Sequence, residues 1–411
     1  MSWEVRTMRS GTSFFNSTLY RKTMLRFWPL WVAYGLMWLF LLPFNLLNNY
    51  FSMRGASVSS VELANRLVEY ARDIPNTLQF GVFVACGYGV LCAMAVFGYL
   101  YNNRSACMMH ALPLRRETLF GTQYLAGLSF ALLPNLVVAG ITLAVELPLV
   151  AQKCWGTSLA SLGIWLLVQS GVCLFFFSFA SFCAMFTGHI LALPSFYAIL
   201  NGLVFVIYYL VTMLLRQFFY GYSSRFTSFW VTCCTPVYAL SEACRWELTS
   251  FSDPTMTVET WHLTSPTMVA VYAGAGVVFA LLALSVYRRR HVESAGDVVS
   301  VKLVRPIFKY GMAFCFALAL GLFLYLFFGY NLPQGAWTLL CFMVLCGAVG
   351  YFAAEMLLKK SFWVFLDSWK GCVAFSACLV VLIAGMELDV TGFERRVPEA
   401  GQVTAVRIRN V

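Results

Sequence analysis

The side chains that could perform chemistry are few in this sequence and stand apart from one another. The 411 residues include four histidines and fourteen cysteines, with no paired CxxC segments and no HExxH motif, so the usual zinc-ligand and metalloprotease patterns are missing. His110 has no second His, Cys or carboxylate cluster near it. No GxxxxGK[ST] loop occurs, so these residues cannot bind ATP in the P-loop manner. The sequence therefore predicts a protein that is not an enzyme and has no cofactor of its own.

Three cysteines share one polar connection. Most of the others fall within apolar stretches, where we interpret them as packing residues, but Cys233, Cys234 and Cys244 lie between such stretches. A disulfide among them and unpaired thiols are both compatible with the sequence, because the outcome depends on the redox compartment.

The composition excludes a water-soluble globule. Hydrophobic residues make up 60% of the chain and charged residues only 11%, against roughly 25% charged in an ordinary soluble domain, and the mean hydropathy is +0.75. The net charge is +10, yet no basic cluster is interleaved with stacking aromatic residues, so nucleic acid is not a predicted partner. The predicted partner of this apolar, basic chain is membrane lipid.

Uncharged windows in the sequence give the number of membrane spans. They cover residues 27–53, 74–103, 118–145, 154–215, 260–287, 310–354 and 371–386. A span needs about 20 residues to cross a hydrocarbon core of about 30 Å. The two longest windows must therefore each fold back once, and we place those turns at residues 187–189 and 331–335. The fold class predicted is an all-α polytopic membrane protein with about nine transmembrane helices.

The distribution of basic residues predicts the orientation. Nine spans with a cytoplasmic N-terminus place on the inner side five bases in 1–26, three in 101–121, six in 288–309 and three in 358–370, with the remaining 11 of 28 outside. This bias follows the positive-inside rule. We therefore expect a multi-pass protein of the cell membrane with its N-terminus in the cytoplasm and its C-terminus outside.

Several segments are neither spans nor short loops. Residues 1–26 contain an imperfect amphipathic pattern, which favours a cytoplasmic entry segment along the membrane surface, although an ordinary basic flank explains it as well. Residues 58–72 repeat apolar positions at helical spacing. The connection 217–266 is long and has an uncharged stretch too short to cross, so we interpret it as an outer loop with a re-entrant or interfacial part. In the tail 389–411, apolar and basic residues alternate at 406–409, which indicates a β-strand. We interpret this tail as the start of an outer domain.

The connection after the second span is the strongest candidate for a functional surface. It is too long and too apolar for a tight turn, so we predict a short helix at about 104–118. Methionines and leucines beside two arginines would suit an acidic groove on a soluble partner, while a basic flank resting on lipid head groups is the alternative. The predicted docking residues are Met108, Met109, His110, Leu112, Pro113, Leu114, Arg115 and Arg116.

Acidic residues are almost absent from the middle of the spans. Glu146 and Glu355 lie near predicted span ends. Because proton- or ion-coupled carriers usually place carboxylates near the middle of the membrane, this pattern argues against a secondary transporter with an acidic relay.

Three groups of residues give the chain a resemblance to a known family. They are 101–104 with 110–117 (HALPLRRE), similar to a His-Ser-Leu-Pro-x-Lys/Arg-Arg signature; 287–290 (YRRR) with 293–296 (ESAG); and 358–370 with 390–398. With these segments the chain resembles the permease subunits of ABC-2-type exporters, particularly the Gram-positive group with long permeases and an extracellular C-terminal part. Ala111 stands where that group usually has serine.

The resemblance implies an organisation and a set of partners. It implies a six-span exporter module over 27–287, a cytoplasmic linker at 288–309 and three additional spans over 310–388. A separate ABC ATPase subunit would bind ATP and dock on the short helix at about 104–118, which would be the coupling helix of such a transporter. A second permease copy or a paralogue would complete the complex. Independently of the resemblance, the aromatic and nearly uncharged spans would suit a lipid, an antimicrobial peptide or another amphiphile as the substrate better than a small ion. The alternative is a membrane sensor or scaffold for cell-envelope stress without transport activity.

Overall fold

The computed structural model describes residues 15–55, 59–150, 152–190, 192–219, 229–253, 256–289, 304–328, 335–359, 361, 363–390 and 392. The predicted strand at 406–409 and most of the linker 288–309 lie outside these residues. The helices are α1 Ser17–Arg26, α2 Trp28–Leu39, α3 Asn45–Gly55, α4 Ser60–Arg72, α5 Thr77–Phe97, α6 Asn103–His110, α7 Arg116–Leu149, α8 Trp155–Phe186, α9 Ala192–Phe218, α10 Phe229–Cys233, α11 Pro236–Ala243, α12 Pro266–Arg289, α13 Val304–Phe328, α14 Ala336–Lys359 and α15 Phe365–Glu387.

Nine helical segments in the described part of the chain are long and apolar enough to cross a membrane. The prediction of an all-α, multi-pass membrane protein is confirmed at this level. The window 154–215 divides into α8 and α9 at residues 187–191, where we predicted the turn. The first segment, Trp28–Gly55, joins α2 to α3 through a π-helical turn at Phe40–Phe44 that contains Pro43.

The chain forms two compact units, and each is described by itself. The first contains Met1–Gly202 and Thr232–Ser300. A network of buried polar side chains joins three of its spanning helices: the Tyr34 hydroxyl of α2 donates to Asn135 Oδ1 of α7 at 3.0 Å and accepts from Gln169 Nε2 of α8 at 3.2 Å. Hydrogen bonds of this kind between membrane helices contribute about 0.5–2 kcal/mol each.

Glycine allows two pairs of helices in this unit to approach closely. A Cβ added at Gly89 of α5 would lie 2.9 Å from the backbone carbonyl carbon of Phe176 in α8. A Cβ added at Gly276 of α12 would lie 2.9 Å from the Phe175 Cα, which also belongs to α8. Because backbone cannot move aside as a flexible side chain does, α8 is held between α5 and α12 by backbone contact at these two positions.

The second unit contains Leu203–Val231 and Val301–Val411. Helices α13 and α14 pack against each other through small residues: a Cβ at Gly350 would lie 2.5 Å from Phe316 Cβ, and Ala354 is fully buried. The Lys309 ammonium donates to the Glu355 carboxylate at 2.9 Å, with both side chains mostly buried. The position of Glu355 near a span end agrees with the sequence analysis.

The connection 217–266 is more structured than the sequence suggested. It contains α10, α11 and an antiparallel hairpin of β1 Trp246–Asp253 and β2 Met256–Leu263, paired from Trp246 with Leu263 to Asp253 with Met256. The hairpin was not predicted. Cys233, Cys234 and Cys244 are free thiols in the structure, and Cys244 is fully buried at the end of α11.

Candidate functional site

Local sequence determines where α6 begins and ends. The Asn102 side chain caps the N-terminus by accepting from the Arg104 backbone N–H at 3.0 Å, which satisfies one of the donors left free at a helix start. At the other end the Ala111 N–H donates to the Cys107 carbonyl oxygen, and Pro113 follows, which cannot continue a helix. The predicted helix at about 104–118 therefore corresponds to α6, a short turn and the first residues of α7.

Tyrosines from two spanning helices hold His110 against the bundle. His110 Nδ1 lies 2.8 Å from the Ala106 carbonyl oxygen, and Nε2 lies 3.3 Å from the Tyr287 hydroxyl of α12. The Tyr287 hydroxyl in turn lies 3.0 Å from that of Tyr99, at the end of the second span. A carbonyl oxygen can only accept, so Nδ1 carries the proton in the neutral ring. Tyr287 then donates to Nε2 and accepts from Tyr99.

The rings in this cluster add packing to the hydrogen bonds. His110 stacks on Tyr287 with the ring centroids 6.0 Å apart, and Tyr287 contacts Phe120 of α7 at 5.4 Å. Tyr287 is almost fully buried, and Ala106 of α6 is buried as well. One face of α6 is thus fixed to α12 through His110, and Tyr287 links this contact to Tyr99 after α5 and to Phe120 of α7. We call Tyr99, His110, Phe120 and Tyr287 the anchor cluster.

A second contact joins the start of α7 to the end of α12. The Arg288 guanidinium lies 3.0 Å from the Glu117 carboxylate, and Arg116 donates to the Arg288 carbonyl oxygen at 3.3 Å. Glu117 stands in the first turn of α7, and the Arg116 guanidinium reaches the C-terminus of α12. A negative charge at a helix start and a positive charge at a helix end each interact favourably with the helix dipole. The ion pair is partly exposed, so it contributes no more than about 1 kcal/mol.

The predicted docking residues divide into an exposed and an anchored set. Met108 is 67% exposed and Leu112 39% exposed, and Pro113, Arg115 and Arg116 are exposed with them. Met109, His110 and Leu114 are half-buried. Both ring nitrogens of His110 are hydrogen-bonded, one to the Ala106 carbonyl oxygen and the other to Tyr287. The outward surface of this segment is therefore an apolar patch of Met108 and Leu112 beside two arginines.

Two of the three segments that carry the family resemblance meet at this site. His110 contacts Tyr287, while Arg116 and Glu117 contact Arg288, and these pairs are more than 170 positions apart in the sequence. Sequence reasoning identified both segments but not their contact, and it missed Tyr99. The basic and aromatic character of residues 287–290 was the available signal.

Metal-ligating side chains are not grouped in the described part of the chain. No group of three or more His, Cys, Asp or Glu side chains that could hold a metal ion occurs in the part of the chain that the structure describes. The anchor cluster has no carboxylate beside its histidine. The site therefore combines an exposed face with Met108 and Leu112 and an anchored face with His110.

Comparison with known proteins places the chain in no family: no family model, no curated protein and no solved structure matches it.

Proposed function

We propose that this chain is the permease subunit of an ATP-binding-cassette transporter, an exporter of a lipid, an antimicrobial peptide or another amphiphile. A separate ATPase subunit docks on the exposed face of α6 and the turn that follows, and drives the transport cycle. The supporting observation is the construction of α6. Met108 on one face and Leu112 in the turn that follows are exposed. On the opposite face His110 is hydrogen-bonded to Tyr287 of α12, which itself contacts Tyr99 and Phe120.

The anchor cluster gives α6 the properties of a mechanical coupling element. A partner that pushes on the exposed face moves His110, and with it Tyr287 of α12, Tyr99 after α5 and Phe120 of α7. Packed helices respond to such displacement by rigid-body shifts, because a close-packed core does not deform gradually. A helix that only rested on lipid head groups would need exposed basic residues but no hydrogen bond to a buried tyrosine of a spanning helix.

The charge distribution supports the sidedness of this proposal. The α6 end of the bundle carries Arg104, Arg115, Arg116, Arg288 and Arg289, and such an excess favours the cytoplasmic side, where ATP is available. The 411 residues contain no P-loop, so ATP must be bound outside them, and we assign it to the separate ATPase subunit. The second half of the pathway comes from another copy of the chain or from a paralogue. An aromatic and nearly uncharged bundle suits an amphiphile better than a small ion.

Acidic substitutions on the exposed face of this segment test the proposal. The tagged full-length chain is purified from its native membranes, and vanadate-sensitive ATP hydrolysis is measured in the purified complex. We expect Leu112→Asp and Arg115→Glu to lower this activity at least about tenfold, because each places an unpaired charge in the contact. Val61→Asp and Arg66→Glu make the same changes on exposed positions of α4, away from α6, and should leave the activity unchanged.

The same purification distinguishes the alternatives. If Leu112→Asp and Arg115→Glu both insert normally into the membrane and leave ATP hydrolysis unchanged, docking on α6 and the turn that follows is contradicted. A chain that purifies without any ATPase but binds an envelope ligand would instead favour the membrane sensor or scaffold.

A further inference from the structure

A cavity lies in the first unit at the end of the bundle opposite α6. It encloses about 120 Å³ and is lined from the first three spanning segments and the end of α4, by residues that include Leu42, Leu46, Tyr70, Asp73, Thr142 and Glu146. One water molecule takes about 30 Å³ of liquid volume. The cavity therefore has room for a small ligand group with its first few carbon atoms.

Glu146 is the unusual member of this wall. Its side chain has no exposed surface, and neither carboxyl oxygen has a hydrogen-bond partner in the described residues. The nearby Thr142 hydroxyl, one turn away on α7, donates to the Val138 carbonyl oxygen. A carboxylate that is buried without a partner is strongly disfavoured. Membrane proteins that retain one usually use it for a ligand or an ion.

The neighbouring charges do not neutralise Glu146. Asp73, the other carboxylate in the wall, pairs with Arg72 at 3.3 Å. The Arg72 guanidinium lies over the Trp261 ring of β2, 4.7 Å from the ring centroid, so it is committed to Asp73 and Trp261. Among the described residues the cavity thus contains one carboxylate that still lacks a cation.

The backbone beside the cavity is irregular. The π-helical turn Phe40–Phe44 lies in the first spanning segment, and Leu42 within it lines the cavity together with Leu46 of α3. Pro43 has no N–H to donate, and a π-turn widens the helix locally. Such turns are frequently found at functional sites. This is a second indication, independent of Glu146, that the cavity is a binding site.

We infer that the cavity binds an ammonium group, with Glu146 as its counter-charge. A divalent metal ion takes about six oxygen ligands and favours several carboxylates, but no group of three His, Cys, Asp or Glu side chains that could hold one occurs among the described residues, and Asp73 is already paired with Arg72. An ammonium needs one carboxylate and a few acceptors, Leu42 and Leu46 can pack on its carbon chain, and the Tyr70 ring can add a cation–π contact. The ammonium belongs either to a free amine or to the headgroup of a membrane lipid.

This inference is independent of any ATPase, so its test uses the full-length chain alone. Binding of radiolabelled propylammonium is measured by equilibrium dialysis in nanodiscs of phosphatidylglycerol, a lipid without an amine. We expect saturable binding that propanol and potassium ions do not displace. Glu146→Gln keeps the shape of the side chain and should weaken binding at least about tenfold, because the ion pair is lost. Glu62→Gln removes an exposed carboxylate from α4 and should have no effect.

A second set of nanodiscs identifies the source of the ammonium. If a lipid headgroup occupies the cavity, phosphatidylethanolamine nanodiscs will bind less propylammonium than phosphatidylglycerol nanodiscs; if the ligand is a free amine, the two will bind equally. Either result supports the site. The inference is overturned if the wild-type chain in phosphatidylglycerol shows no saturable binding, if potassium displaces the amine, or if Glu146→Gln binds it as tightly as the wild type. The first two outcomes do not depend on any variant folding correctly.

Discussion

Removing one hydroxyl group from the anchor cluster should loosen α6 without disturbing the rest of the bundle. In Tyr287→Phe the ring keeps its contacts with His110 and Phe120, while the hydrogen bonds to His110 Nε2 and to the Tyr99 hydroxyl are lost. The change is therefore a deletion of two hydrogen bonds at nearly constant packing.

The size of the effect follows from the bond to His110, because the Tyr99–Tyr287 bond joins residues outside α6. A neutral intramolecular hydrogen bond contributes about 0.5–1.5 kcal/mol net, so the free energy that holds α6 against the bundle should fall by about that amount. At about 1.4 kcal/mol per factor of ten, local opening of α6 becomes roughly 2 to 12 times more frequent. The lower part of this range applies if water replaces the lost partner of His110, which is half-buried.

Hydrogen–deuterium exchange measures this opening directly. We expect the amides of α6, residues 103–110, to exchange faster in Tyr287→Phe by the factor above, while those of α8 stay protected. Tyr272→Phe is the matched control, because Tyr272 is a buried tyrosine of the same helix whose hydroxyl donates instead to the Cys233 carbonyl oxygen. Unchanged exchange in α6 after Tyr287→Phe would refute the conclusion that these bonds anchor the helix. Equal acceleration of α6 by both variants would refute it as well.

Two further predictions concern packing and orientation. Gly89→Ala should lower the free energy of unfolding by about 1–3 kcal/mol. Gly87→Ala is the control, because it lies on the same helix with nothing within 4 Å of the added carbon, and it should leave the free energy of unfolding unchanged or slightly raised. Equal stability of the two variants in a thermal unfolding assay would contradict the backbone contact. In intact cells a membrane-impermeant maleimide should label the exposed thiol of Cys234 and spare that of Cys107 in α6, and the reverse result would contradict the proposed orientation. Burial raises the pKa of Cys244 to about 12, so at about pH 8 its thiol stays protonated and should remain unlabelled.

Span positions were predictable because the membrane imposes a strong constraint on composition. The gaps between charged residues predicted helices at nearly the observed positions, including the turn between α8 and α9, since a charge inside the hydrocarbon is costly over the whole length of a span. The charge gaps did not predict the hairpin at 246–263. Its signal in the sequence is the alternation of apolar with polar residues, as at Trp246 and Leu248, and each alternating stretch is short compared with a span.

The candidate site shows the limit of the method more clearly. Sequence patterns marked residues 110–117 and 287–290 separately, but the contact between His110 and Tyr287 depends on which faces of α6 and α12 point toward each other. Composition does not specify the rotation of a helix that is apolar all round. The same ambiguity applies to Glu146, which stands near a span end in the sequence and is turned inward in the structure.

Helix α7 connects the two proposed sites within the first unit. Glu117 at its start contacts Arg288 beside α6, and Glu146 near its end lines the cavity. The two residues are separated by about 44 Å along one continuous helix. Pro134 interrupts the backbone hydrogen bonds between them, so it is the point at which α7 can bend. If partner docking on α6 shifts α7, the position of Glu146 in the cavity wall changes with it. Because coupling between two binding sites is reciprocal, propylammonium bound beside Glu146 must then alter the exchange of α6 amides, and equal exchange with and without the amine would mean that the two sites act independently.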